Sequence, residues 1–593
     1  MSIDPSWDAL LIGEGLITLA NSIKLKMSSK TIAKKLIFLL LTSITSGVRA
    51  QNAPNIVWIV CEDISPYISV YGDPVVSTPN IDELAREGVR YTRVYTTAGV
   101  CAPSRSSIIT GMNQISMGTS HMRTHNNPRL MPQGVPSYSA VLPSEVRAFP
   151  EYLRKVGYYT SNNAKEDYQF EEPVTVWDES SVGASYKNRE AGQPFFSVYN
   201  FAISHESQII SPPDSLYYNP DKMVLPLYYE NTEQMRHDKA ALYTRIEQMD
   251  SDVGELIQQL KNDGVYENGY VIFYSDHGGN LPWMKREVLE RGTHIPFIVK
   301  YPHGEYAGTV NNDLISSIDF APSMLSIAGA NIPEYLQGKP FLGPKASEEK
   351  NAYVFAARDR MADKYDRVRS VSDGTFRYVY NFHPELPKYQ DLAYRKQMAS
   401  MQEIIKMRDS GQITNPYLLD WFNTPKPQEE LYYTAKDPDE VHNIAANPAY
   451  VNKKNELKEV LFKWLDDVGD TGEIPEQEMV KNLWWKGKNG APITEKPSIK
   501  KNKDGVVISC DTEGVSIGYR IFDGNVADST VVRNIKTWDF FYLMPQNGKK
   551  TVTVPKPWKV YSGGNIPLKK GQTLQVNAHR IGYKPTELIY KYN

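Results

Sequence analysis

The chain has 593 residues, 41% hydrophobic and 23% charged, and a formal net charge of −3. That length exceeds one ordinary domain and allows a large buried core, and the composition is globular rather than disordered. The charge argues against a nucleic-acid binder driven by a global basic field, while leaving room for a local basic pocket that takes an anion.

Residues 1–50 stand apart. Met27 is a more natural start than Met1, and Lys30, Lys34 and Lys35 precede the apolar run Leu36–Leu41. Small and polar residues then end at Val48-Arg-Ala50. This is the layout of a secretory signal behind an upstream extension, so the mature chain is expected to start near Gln51 and to be exported, periplasmic or extracellular. The apolar run is too short to span a bilayer, and no cysteine follows it to take a lipid. Only Cys61, Cys101 and Cys510 occur, too few for a disulfide framework.

The next elements follow in order. Asn55–Val60 reads as a strand buried on both faces, and Thr78–Gly88 as a helix with a cap, an early proline and a closing glycine. Ser104 is a good N-cap for a helix ending at Gly111, which would put Cys101 just ahead of that helix, near its positive dipole end. Further helices are expected over Val146–Gly157, Asp238–Gly264 and Asp319–Ala328, and buried strands over Phe195–Phe201, Tyr270–Tyr274 and Phe297–Tyr301. The alternation predicts an α/β fold, a mostly parallel sheet between helices, with ligands at the carboxyl ends of its strands. After about residue 345 the rhythm fades into an irregular, charged and aromatic region. From Pro497, short strand-like runs such as Gly505–Ser509 and Val515–Ile521 read as a small β-sandwich.

Polar residues fall where ligands should bind. Glu62 and Asp63 follow the first strand, His205 the second, and Asp276 with His277 the third. Acids after unrelated strands suit an oxygen-rich divalent cation site, although loop capping would also explain Glu62 and Asp63 alone.

Cys101-Ala-Pro-Ser-Arg105, followed by Thr110-Gly111, resembles the signature of the type I sulfatases, within the alkaline phosphatase-like superfamily. Other stretches agree in order: Asn55–Asp63, Gly157–Lys165, Phe195–His205, Ser275–Gly278, Lys285 ahead of Pro296, and the C-terminal pair Leu431–Glu440 and Asn443–Ala445. The likeness covers roughly residues 54–470. Thr110–Gln114 and Val368–Asn381 are similar to the sulfamidases, the heparan N-sulfoglucosamine sulfohydrolases.

The resemblance implies a catalytic domain over 51–345, a smaller C-terminal α+β subdomain over 346–490 and an appended module over 497–593. It implies that Cys101 is oxidised to formylglycine by a formylglycine-generating or anaerobic maturating enzyme, which reads the proline and arginine. The hydrated aldehyde then attacks sulfur. Arg105 would hold the nucleophile, and Glu62, Asp63, Asp276 and His277 one Ca²⁺. Lys165 and Lys285 would hold the sulfate oxygens, and His205 or Lys285 would protonate the leaving group. Glu62 stands where the family usually has Asp, His277 where it often has Asn, and Asp167 where it commonly has a histidine, so Asp167 is either a base or structural. His121 and His125 are candidate pocket residues or ordinary loop histidines, and Arg358 and Arg360 are candidate substrate contacts or members of a salt-bridged surface loop. The expected activity is hydrolysis of sulfate esters or sulfamates on glycans, heparin- or heparan-type glucosamine foremost. The rivals are a phosphomonoesterase or phosphonate hydrolase of the same superfamily, or a non-catalytic glycan-binding protein.

Overall fold

The computed structural model describes residues 53–125, 130–527, 529–535, 548–554 and 556–593. The expected signal segment lies outside the described residues. No helix among them is long and apolar enough to cross a membrane.

The chain first builds a nine-stranded sheet. Its strands are β1 (Asn55–Cys61), β2 (Val89–Tyr95), β3 (Tyr159–Asn163), β4 (Glu179–Ser180), β5 (Phe195–Phe201), β6 (Gly269–Ser275), β7 (His294–Lys300), β8 (Thr309–Asn311) and β9 (Ile315–Ser316). The spatial order is β4-β3-β5-β1-β6-β7-β2-β8, with β9 also on β2. The central strands β3, β5, β1 and β6 are parallel, so their carboxyl ends share one rim. The sheet is mostly parallel, as expected, with one strand reversed: β7 runs antiparallel to both β6 and β2. A strand buried on both faces carries the same apolar signature in either direction, so its sequence does not reveal this reversal.

Alternation along β1 sends its side chains to two cores. Trp58 meets Phe149, Phe196 and Tyr274 with ring centroids 5.4, 5.0 and 5.2 Å away. Val57 and Ile59 pack into the opposite cluster, which includes Leu242, Ile246, Met249 and Val253 of the long helix Glu233–Asn262. That helix starts five residues earlier than the sequence suggested, because Thr232 accepts from the Met235 N–H and caps it. The helix expected over Val146–Gly157 is only Pro150–Lys155.

The region after 345, irregular by its residues alone, has the α+β build that the resemblance implied. Strands β10 (Val354–Arg358), β11 (Val368–Ser372), β12 (Arg377–Asn381) and β13 (Glu429–Tyr432) form an antiparallel sheet. Leu457 and Leu461 of helix Val451–Val468 pack on Val371, Tyr378 and Leu431 from it. Residues 498–591 add antiparallel sheets around a core of Val506, Ile508, Ile566, Leu568, Leu574 and Val576. These C-terminal strands are tied to the first domain. Ser516 Oγ donates to Glu151 at 2.6 Å, Arg580 donates to the Leu142 carbonyl at 2.6 Å, and Arg154 donates to the Trp558 carbonyl.

Candidate active site

The shared rim gathers the polar residues. Glu62 and Asp63 leave β1, Lys165 follows β3, His205 follows β5, and Asp276 and His277 leave β6. Asp63 takes a left-handed backbone, φ 57°, which for a non-glycine residue is held only by its surroundings. Glu62, Asp63, Asp276 and His277 are all fully buried. Lys165 Nζ donates to Glu62 at 2.6 Å and Lys285 Nζ to Asp63 at 2.5 Å. Arg105 Nε donates to Asp276 at 2.9 Å, and another Arg105 nitrogen donates to Asn200 at 2.9 Å. His277 Nε2 lies 2.9 Å from Asp63, and His205 Nε2 lies 3.2 Å from Lys285 Nζ.

These charges set one another's ionisation. Burial alone would raise Asp63, but Lys285, His205 and His277 outweigh it and hold the carboxyl well below its usual range. Asp276 is likewise held low against burial by His277, Arg105 and Lys165. Glu62 goes the other way, up to about 7, because burial and the neighbouring Asp276 and Asp63 exceed the pull of Lys165 and Arg105. Burial and the positive Lys285 lower His205 to about 3, so it is neutral near pH 7.

Cys101 faces this cluster, its Sγ 3.2 Å from His277 Nε2 and 3.9 Å from Asp63. It is the first residue of the helix Cys101–Thr110, whose N-cap is Val100, and not a residue ahead of a helix capped by Ser104. The Ser104 hydroxyl instead donates to the Asp276 carbonyl at 2.5 Å and ties the helix to the β6 turn. Gly111, at φ 67°, ends the helix in the left-handed conformation a glycine adopts freely.

Candidate ligand atoms of Asp63, Cys101, Asp276 and His277 all lie within 4.8 Å of one another. Glu62 joins Asp63, Cys101 and His205 in a second such group, and its Oε1 has no hydrogen-bond partner. Three crowded carboxylates, one imidazole and an orphaned buried oxygen fit a hard divalent cation, whose charge would relieve the mutual repulsion.

Above the rim lies a cavity of about 630 Å³, lined among others by Lys165, Asp167, Arg123, His125, Glu206, Lys285 and Arg286. Asp167 pairs with Arg123 at 3.1 Å, which holds its carboxyl low despite burial. Arg286 grips Glu206 through two nitrogens at 2.6 and 3.1 Å. The structure does not bring three other candidates to the cavity wall. Arg358 is engaged by Glu287 at 2.8 Å and Asp366 at 2.5 Å, and Arg360 by both oxygens of Glu476 at 2.6 and 2.7 Å. His121 is buried beside them, its Nδ1 3.4 Å from the Arg360 N–H. Of the two readings open for Arg358 and Arg360, the structure fits the salt-bridged one and not substrate contact, although both side chains are buried rather than on the surface.

Sequence reading had passed over Arg123, Glu206, Arg286 and Asn200. Glu206 and Arg286 each adjoin a candidate residue, but they meet across 80 positions, a pairing no local pattern encodes.

Comparison with known proteins points to one family. The sulfatase family profile matches residues 54–330. An ulvan-active sulfatase of Formosa agariphila is 40% identical over 579 residues, spanning 91% of this chain and 92% of its own. A human N-sulphoglucosamine sulphohydrolase is 25% identical over 469 residues, spanning 70% of this chain and 91% of its own. Among solved structures, a 2-O GAG sulfatase superposes with a TM-score of 0.52 at 17% identity, covering 70% of this chain and 93% of that one, a likeness of fold alone.

Proposed function

This chain belongs to the sulfatase family, and we propose that it removes sulfate from ulvan-type polysaccharides, using a formylglycine made from Cys101 and a calcium ion held by Glu62, Asp63, Asp276 and His277. The observation that carries the reading is the crowding of three buried carboxylates against Cys101, flanked by Lys165 and Lys285. Formylglycine at position 101 supplies a gem-diol nucleophile, where a plain thiol would not. A divalent cation at this site supplies Lewis acidity towards the sulfate oxygens.

The chain's own residues do the rest. Arg105, fixed on Asp276 and Asn200, holds the nucleophile helix against the rim. Lys165 and Lys285, both buried, present positive charge where the sulfate oxygens gain negative charge. In the net reaction the S–O bond breaks, water supplies the new oxygen on sulfur, and the sugar oxygen takes a proton. Lys285 Nζ and His205 Nε2 lie 3.2 Å apart, so the two candidate proton donors to the leaving group stand side by side. Asp167 is ionised and bound to Arg123, which favours a binding role over that of a free base.

The sulfamidase-like stretches had favoured heparin-type glucosamine. We place ulvan first because the ulvan-active relative is 40% identical over 91% of the chain, against 25% over 70% for the sulphoglucosamine enzyme. Export belongs to the same reading, supported by the charged and apolar segment at residues 27–50. So does a maturating enzyme as partner.

The test is sulfate release from ulvan oligosaccharides, heparin-derived N-sulfated glucosamine and paired aryl sulfate and aryl phosphate substrates, with Cys101→Ala as control. Release from ulvan that vanishes in Cys101→Ala is the expected result. A strong preference for phosphate, or glycan binding with no release from any substrate, would overturn the assignment. Release from sulfated glucosamine alone would move the substrate back to the heparin type.

A further inference from the structure

The cavity has two kinds of wall. One is ionic, made by the Arg123–Asp167 and Arg286–Glu206 pairs. The other is apolar: Val100, Met122, Met361 and Leu392 pack in one cluster that also contains Cys101, and Tyr394 lines the same cavity. Tyr394 lines the cavity and is 36% exposed, so its ring is neither sealed in the core nor free in solvent. An aromatic ring on a cavity wall that also carries ionic pairs is the kind of apolar surface a ligand covers.

Backbone conformation supports a built site. Arg123, Asp167, Gln169, Arg286 and Ala362 all line this cavity, and all have left-handed φ, between 47° and 79°. Non-glycine residues adopt that region at a cost, and they cluster where side chains must be aimed.

The chain beside Tyr394 is anchored to Lys285. The next residue, Arg395, is buried, with its guanidinium 5.2 Å from the Trp421 ring and 5.8 Å from the Tyr389 ring. It donates to the Lys285 carbonyl at 3.3 Å, which ties the backbone next to Tyr394 to that of the lysine. Burial, and then the nearby Glu206, push the Tyr394 hydroxyl up to about 12, leaving it a hydrogen-bond donor.

We propose that Tyr394 and its apolar wall receive the C–H face of the sulfated pyranose while the Arg123–Asp167 pair takes its hydroxyl groups, making Tyr394 a specificity-determining residue. The inference rests on the glycan-sulfatase reading above. A pyranose has a face of C–H groups and an equatorial rim of hydroxyls. The electron-rich face of an aromatic ring attracts the former, and a carboxylate–guanidinium pair both accepts from and donates to the latter. Tyrosine offers this contact at small conformational cost.

Binding can be read without turnover in a Cys101→Ala background, by calorimetry with an ulvan oligosaccharide, a heparin-derived sulfated oligosaccharide and inorganic sulfate. Adding Tyr394→Ala is expected to weaken ulvan oligosaccharide binding about tenfold or more, while inorganic sulfate changes less than about twofold. Tyr394→Phe keeps the ring and should recover most of the lost affinity. Unchanged oligosaccharide binding in Tyr394→Ala would overturn the inference, as would a Phe variant as weak as Ala, or sulfate weakening in step with the sugar. If only the heparin-derived ligand binds, and does so with the same dependence on the ring, the ulvan reading falls and the role of Tyr394 stands. If no oligosaccharide binds although sulfate does, both fall.

Discussion

Glu62 and Glu476 are both buried glutamates, and the structure treats them oppositely. Glu476, beneath the C-terminal sheet, receives four donors: Arg360 on each oxygen at 2.6 and 2.7 Å, Tyr138 at 2.8 Å and Tyr365 at 2.5 Å. Burial would raise it, but His121, Arg360 and Tyr365 outweigh that and hold it at about 2. Glu62, at the sheet rim, receives Lys165 on one oxygen, keeps the other without a hydrogen bond, faces two more carboxylates and rises to about 7. A charge buried for scaffolding is saturated on the spot. A charge buried for chemistry is left short of partners, so that a ligand can complete it.

The largest expected effect is at the centre of the crowded region. Cys101→Ala should lower sulfate release by about 10⁴-fold or more, since nucleophile and neighbours act as a unit. Enzyme from a cell able to mature it should carry an aldehyde in the Val100–Arg105 peptide, seen by mass and by carbonyl reagents. Full activity with an unmodified thiol would break the proposed chemistry.

Next comes the cation. Chelation should abolish activity and Ca²⁺ restore it; restoration by Zn²⁺ alone would refute the ion assigned. Glu62→Gln should lower activity by about 10²-fold or more, yet cost the chelated protein less stability than Glu476→Gln costs, because the charge removed is crowded by Asp276 and Asp63 even though Lys165 loses its partner. Its thermal midpoint should no longer respond to Ca²⁺ as the parent's does. A chelated Glu62→Gln protein destabilised as much as Glu476→Gln would erase the contrast with Glu476.

Glu476→Gln should do the reverse. It leaves Arg360 buried without its charge partner and should cost about 3–5 kcal/mol in stability, with turnover per folded molecule little changed. Its pH signature has a definite sign. The folded pKa of about 2 lies below the ordinary 4.5, so the contribution is fully present above pH 4.5 and is lost as pH falls towards 2. It amounts to about 3 kcal/mol, and the acid limb of stability should flatten in the variant. The smallest effects belong to the cysteines outside the site: Cys61→Ala and Cys510→Ala should each cost about 1 kcal/mol and leave chemistry in place.

The crowded glutamate was legible in the sequence and the saturated one was not. Glu62, Asp63, Asp276 and His277 each directly follow an apolar run, so strand ends point to them without any knowledge of partners. Glu476 meets Arg360 across 116 positions, and neither residue carries a local mark of the pairing. Arg358 and Arg360 looked like anion ligands because a guanidinium's preference for oxyanions does not say whether the oxyanion is a substrate or a carboxylate of the same chain. The β7 reversal and the four-stranded sheet after residue 345 were hidden for a related reason: strand direction and pairing are long-range facts. Tyr394 had no motif at all; its exposure is visible only once the rest of the chain is packed around it.

The bonds between the last strands and the first domain also bear on the order of synthesis. Ser516 reaches Glu151 over 365 residues, and Arg580 reaches the Leu142 carbonyl over 438. While the chain is still being made, Glu151 and Leu142 emerge long before either partner exists. The nucleophile helix runs close by, for the Phe149 N–H donates to the Ile109 carbonyl at 2.9 Å. The neighbours of Cys101 also come from far along the chain, His277, Met361 and Leu392 among them, so a nascent chain closes its surroundings only after those residues have been added, and contacts so distant in sequence close slowly.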